Sequence, residues 1–148
     1  MSDLVIQRPD GDAMLRDWQH IHNVIIPTHP LSLDDVRERR ERHRLEIAYR
    51  DGEPVGCSTV RPPADGTGTA TVIARVLAAH RRRGYGEVLH ERGLAHAREL
   101  GARVIETVVL SCNEDGLRFA LRHGYTETER YLLPGDTVPW IDLRLSGN

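Results

Sequence analysis

The chain has 148 residues, 39% of them hydrophobic and 28% charged, and a formal net charge of −2. That length predicts a single domain spanning residues 1–148, with a core that buries roughly 70% of the surface its unfolded chain would expose. The near-neutral balance gives no global field to draw the chain to nucleic acid or an anionic membrane, and no apolar run approaches the ~20 residues of a membrane span.

Two cysteines, Cys57 and Cys112, stand without CxxC or Cys/His ligand spacing. This pattern points to reduced thiols in a cytoplasmic protein rather than a disulfide framework, and to no metal site. The N-terminus lacks a basic segment followed by an apolar run, so no signal peptide is expected.

In chain order, Leu4-Val5-Ile6 reads as a first strand ended by Pro9-Asp10-Gly11. Asp12 to Ile26 reads as a helix with Leu15, Trp18, His22 and Ile25/Ile26 on one side. Pro27 to Pro30 must be a loop. Ser32 with Asp35 resembles a capping box, which places a second helix over Leu33 to Arg42 with its many charges on a solvated face. Leu45 to Tyr49 and Pro54 to Val60 form a hairpin around Asp51-Gly52, and Thr67 to Leu77 is a longer, β-branched strand.

Tyr85, Leu89, Gly93 and Ala97 recur every fourth residue, with Val88 and Leu100 beside the stripe, in a helix closed by Gly101. Val104 to Leu110 reads as a central strand buried on both faces. Glu114 to His123 is a short helix, and Tyr125 to Leu132 with Thr137 to Leu145 a closing strand pair. Helices after the fourth and fifth strands require crossovers, hence a mixed α/β sheet.

Chemistry concentrates at Arg81-Arg82-Arg83-Gly84-Tyr85-Gly86, where a strand turns into a helix. A helix N-terminus offers unpaired N–H groups to phosphate, glycines permit close approach, and arginines add bidentate donors. The run is neither a Walker loop nor a dinucleotide fingerprint, since Leu89 stands where the third glycine would be.

Arg-x-x-Gly-x-Gly opening a helix five residues after the strand residue Val76 resembles motif A of the GNAT acetyltransferases, and Asn113 with Gly124-Tyr125 eleven residues on resembles their motif B. The resemblance implies a mostly antiparallel sheet of six to seven strands with about four helices and a splay between the fourth and fifth strands. It implies acetyl-CoA as co-substrate. The backbone of Val76, Leu77 and Ala78 would pair with the pantetheine arm. Arg81, Arg82, Arg83, Gly84, Tyr85, Gly86 and Glu87 would surround the pyrophosphate, and Asn113 would face the cofactor arm. Asn113 is equally a helix N-cap by residue type.

The family's pattern also breaks. Ala120 occupies the place of the usual tyrosine acid, and Thr69 to Val76 carries no acidic residue. Glu106, Ser111 and Tyr125 are the catalytic candidates, with Cys112, Tyr131 or water as further stand-ins for the acid and Glu106 read also as a strand-end carboxylate that reaches solvent. His22 and His29 are candidates for the acceptor site, since histidine titrates near neutrality. The reading is acetyl transfer from acetyl-CoA to a primary amine of a small molecule or protein, without nucleic-acid or membrane partners and with a homodimer through the C-terminal strand pair as an open possibility. The alternative is a non-catalytic acyl-CoA sensor that kept the cradle and lost the acid and base.

Overall fold

A computed structural model describes residues 4–64 and 66–146. Strands β1 (Leu4–Gln7), β2 (Arg44–Arg50), β3 (Glu53–Arg61) and β4 (Thr69–Val76) form an antiparallel run, followed by β5 (Val104–Leu110), β6 (Tyr125–Tyr131) and β7 (Trp140–Leu145) in one seven-stranded sheet. Its spatial order is β1-β2-β3-β4-β5-β7-β6, and the β4–β5 pair alone is parallel. The crossover that makes it parallel is α3 (Tyr85–Glu99).

The other helices are α1 (Asp12–Ile25), α2 (Leu33–Arg42) and α4 (Glu114–Arg122). The capping box at α2 is complete: Ser32 Oγ accepts from Asp35 N at 3.0 Å and Asp35 Oδ2 from Ser32 N at 2.9 Å. Helices α1 and α2 cover one face of the sheet, burying Leu15, Trp18, Ile21 and Val36 against Leu45, Ile47 and Cys57. Each such side chain contributes about 1.5–3 kcal/mol of burial. On the opposite face, α3 and α4 pack Ala97 and Ala120 against Val72, Ile105, Val109 and Leu143.

The sheet opens in the middle. Pairing of β4 with β5 covers only Thr69–Thr71 against Val104–Glu106. Beyond that, β4 stays on β3 up to Val76, while β5 follows β7 from Glu106 to Leu110. Each strand satisfies its outer edge, so the inner edges diverge.

Several expectations need adjustment. Val88 and Leu100 are 41% and 45% exposed and face solvent; His90, 5% exposed, takes a place in the buried stripe instead. Strand β5 is not buried on both faces: Ile105, Thr107 and Val109 point into the core, whereas Glu106 and Val108 are half-buried because α1 and α2 stop short of them. Strand β7 begins at Trp140, after Pro139 has ended the preceding loop.

One buried charge was not anticipated. Glu46, 5% exposed within β2, accepts from Arg92 of α3 at 2.9 and 3.0 Å and from Arg44 at 3.0 Å. Burial alone would raise its pKa, but the two guanidiniums outweigh it and hold the carboxyl below its usual range.

Candidate active site

The end of β4, a short 3₁₀ turn at Ala78–His80 and the start of α3 enclose a cleft of about 370 Å³. Its floor is backbone. Gly84 caps α3 in the left-handed region, φ 81°, and no side chain bonds to the first-turn N–H groups. Arg82 is also left-handed, φ 66°. Two left-handed residues in three turn the chain so that successive amides face one concavity, at the positive end of a fifteen-residue helix. Gly86 lies against Phe119, where a Cβ would sit 3.1 Å from the ring, so the glycine keeps the helix start open.

The arginines of the run divide their work. Arg81 is engaged by the protein: Nε donates to Val76 O at 2.9 Å and Nη1 to Asp115 Oδ2 at 2.6 Å. It clasps β4 to the start of α4, while Arg82 and Arg83 are exposed. Tyr85 is buried, with its hydroxyl accepting from Arg50 Nη1 at 2.5 Å, so only its backbone is turned to an anion. Glu87 lines the cleft on the first turn of α3.

The amide of Leu77 donates to Val55 O at 2.9 Å. Neighbouring amides alternate along a strand, so the N–H of Val76 points the other way, into the splay. There the strands leave a cavity of about 30 Å³, lined among others by Arg75, Val108, Asn113, Ala120 and Tyr125. Ala120 is the position that removes a large side chain from this wall. Asn113 caps α4, its Oδ1 accepting from Gly116 N at 3.1 Å, and also lines both cavities.

Tyr125 contributes its ring to the small cavity, with its hydroxyl 2.8 Å from His90 Nε2. Burial pushes the phenol above its ordinary range and pulls His90 down to about 4. This buried pair is absent from the motif pattern; the recurrence of His90 one residue after Leu89 on the α3 stripe is the signal that could have found it. Glu106 and Ser111 line neither cavity. Glu106 lies where β5 still pairs with β4, and its Oε2 accepts from Arg144 at 3.0 Å. Ser111 sits in the turn after β5, its amide bonded to Pro139 O at 2.9 Å.

On the α1 side of the splay, His22 is 4% exposed, stacked on Trp18 at 5.6 Å, and its Nδ1 lies 3.1 Å from Asn23 Oδ1. Asn23 Oδ1 already accepts from Leu31 N, so Nδ1 is the donor of the pair. Burial, and then the Arg75 charge, lower its pKa to about 4. His29 bonds Asp136 Oδ1 at 2.6 Å and its ring lies 4.8 Å from that of Trp140, joining the α1–α2 loop to the β6–β7 loop. The two histidines therefore have separate hydrogen-bond partners, that of His22 in α1 and that of His29 in the β6–β7 loop.

The splayed strands, the inward amide of Val76 and the uncapped α3 terminus adjoin one another at the end of β4. The family profile described as "Acetyltransferase (GNAT) family" matches residues 12–125. The chain belongs to the GNAT acetyltransferase family. Solved GNAT-like structures share the whole fold. Ard1 from Thermoplasma volcanium superposes with a TM-score of 0.80 at 16% identity, covering 96% of each chain. Naa50 from Arabidopsis thaliana, in complex with the bisubstrate analogue CoA-Ac-MVNAL, gives 0.76 at 18%, covering 98% of this chain and 99% of that one. The yncA protein from Salmonella typhimurium, with its cofactor acetyl-CoA, gives 0.75 at 18%, covering 97% and 94%. No curated protein matches the sequence at a significant level. Among the described residues no group of three or more His, Cys, Asp or Glu could hold a metal ion, and no helix is long and apolar enough to cross a membrane.

Proposed function

We propose that the chain is one N-acetyltransferase domain that moves the acetyl group of acetyl-CoA onto a primary amine by direct attack in a ternary complex. The observation that carries this reading is the β4–β5 splay leading straight onto the bare N-terminus of α3. The free edge of β4 accepts an extended, amide-bearing arm as an added strand. The first-turn amides of α3, with Arg82 and Arg83, meet the pyrophosphate. When bound, acetyl-CoA supplies a thioester, and the Val76 N–H polarises its carbonyl oxygen. The amine nitrogen forms the new C–N bond, the C–S bond breaks, the amine releases one proton and the sulfur takes one.

We assign the proton for sulfur to Tyr125. Its phenol is kept protonated by burial, is oriented by His90, and lines the same cavity wall as Ala120. The alternative of an acyl-CoA sensor draws on that same Ala120 and on the acid-free β4. A panel of amines assayed for thiol release from acetyl-CoA separates the two. Turnover on any amine supports the enzyme, and tight binding of acetyl-CoA with no turnover across the panel supports the sensor.

Acceptors of both kinds, small amines and protein N-termini, belong in that panel, since the Naa50 analogue joins CoA to a peptide within this fold. A cytoplasmic location is favoured by the two free thiols, Cys57 and Cys112. A homodimer would use β6, the sheet edge, whose Glu127, Glu129 and Arg130 are exposed charges of the kind that discourage edge pairing; sedimentation of the purified chain decides it.

A further inference from the structure

Many arginines among the described residues have a carboxylate partner. Arg37, Arg42, Arg81, Arg118, Arg130 and Arg144 each hold one within 3.0 Å. Three on the α1/α2 face do not. The guanidiniums of Arg39 in α2, Arg61 at the end of β3 and Arg75 near the end of β4 make no hydrogen bond or ion pair among the described residues. None of the three is fully exposed, and Arg61 Nε is buried without a partner.

They share one face and one field. Cys57 is the register partner of Arg75, and Arg61 follows it by four residues on β3, so Cys57, Arg61 and Arg75 point toward α1 and α2. Arg39 comes down from α2, three residues after the buried Val36. Burial lowers all three guanidiniums; Arg61 adds repulsion at Arg39, and Arg61 and Arg39 add it at Arg75, while Tyr131 and Asp142 partly offset burial at Arg61. Burial, then the charges of Arg61, Arg42 and Arg39, hold His43 at about 4.

The neighbouring carboxylates are already engaged. Asp142, whose charge acts on Arg61, accepts from Tyr131 Oη at 2.8 Å, and Glu106 is bonded to Arg144. Partly buried, unpaired cations cost stability, so a site that keeps three of them is built for an anion that arrives from outside. A guanidinium fork matches a carboxylate in both geometry and charge. The anion is not on the donor: Arg39 and Arg61 are absent from the walls of the CoA cleft, and only Arg75 reaches from the splay cavity into it.

We propose that the acceptor is a small amine that also carries a carboxylate, bound through Arg75 and Arg61 with Arg39 behind them, so that its nitrogen is presented at the β4–β5 splay. This rests on the acetyltransferase reading and narrows its substrate class to free amino acids and their ω-amino relatives rather than protein N-termini.

The test uses the full chain with acetyl-CoA and matched pairs that differ by the carboxylate alone. These are glycine and methylamine, β-alanine and ethylamine, γ-aminobutyrate and propylamine, and phenylalanine and phenethylamine, with a Phe-initiated pentapeptide amide beside them. The acid of at least one pair should exceed its amine at least tenfold in kcat/KM. Arg61→Gln and Arg75→Gln should each cut that preference at least tenfold, mainly through KM. The Tm of Arg61→Gln should hold, because no hydrogen bond or ion pair is lost with the guanidinium. Equal or better use of the neutral amines or of the pentapeptide overturns the inference while leaving acetyl transfer intact, as does a preference that survives Arg61→Gln. If acetyl-CoA binds and nothing in the panel is acetylated, the transferase reading itself falls and takes this one with it.

Discussion

The proposed donor and acceptor halves of the site lie on opposite sides of one splay and are built in opposite ways. The donor half is a contiguous stretch, Val76 to Glu87, and its chemistry is backbone: a strand edge, two left-handed residues and the bare amides of a helix terminus. The acceptor half is assembled from side chains on α1, α2, β3, β4 and the β6–β7 loop. Backbone sites tolerate little change of residue because geometry is the ligand, whereas side-chain sites can be re-specified one residue at a time.

The sharpest way to break the comparison is at Gly86. A leucine there drives its Cβ toward Phe119, already 3.1 Å from an ideal Cβ, and pushes bulk into the mouth of the cleft. Acetyl-CoA affinity by calorimetry should fall at least a hundredfold, about 2.7 kcal/mol, with the acceptor half untouched. Retained affinity would mean that the pyrophosphate sits elsewhere.

Next in size is Tyr125→Phe. It removes one hydroxyl and leaves the ring packing, so the acetyl-CoA dissociation constant should stay within threefold. If the phenol supplies the proton to sulfur, kcat should fall at least tenfold, in the range general acids contribute. A kcat within twofold of the parent assigns that proton to another source.

The two halves also differ in legibility. The donor half could be read as a motif because its residues are consecutive and each type has a backbone reason to be there: Gly84 for φ 81°, Gly86 for clearance. Strand and helix positions followed from period and caps, Ser32–Asp35 most clearly. The acceptor half is scattered over some hundred residues, and each of its arginines looks like an ordinary surface charge when read alone. The α2 charges were expected to form a solvated face, which holds for Arg37 and Arg42 but not for Arg39, the residue on the Val36 face. Likewise Glu46 and His90 are polar residues inside apolar runs whose partners, Arg92 and Tyr125, lie 46 and 35 residues away. Such pairings are fixed by tertiary register, which no local pattern encodes.

A smaller effect compares the faces through their histidines. His22 lies on the acceptor side and His90 on the donor side, and burial lowers each to about 4 from an ordinary 6.5. The unfolded chain therefore takes up protons first. Stability from each neutral ring is fully present above pH 6.5 and is lost as pH falls toward 4, up to about 3 kcal/mol per histidine. Thermal unfolding followed from pH 7 to 4.5 should show this decline, to which His43 adds, and His90→Gln should flatten it by removing one contribution. An unchanged slope in that variant would mean that His90 is solvated in the native state.

The smallest expected effect is at Glu106, and it bears most directly on where the halves meet. The carboxylate stands on the acceptor face, at the last paired position before the splay, and could be taken for the base that deprotonates the amine. It is bonded to Arg144 at 3.0 Å, and it lines neither the cleft nor the splay cavity. Glu106→Gln should therefore leave the pH–rate profile of kcat/KM where it was and change kcat less than threefold, with a stability loss under about 1 kcal/mol for a half-exposed ion pair. A basic limb that disappears in this variant would instead make β5 part of the acceptor machinery. The amine would then enter above Glu106 rather than beside Arg75, and the arginine cluster would need a different ligand.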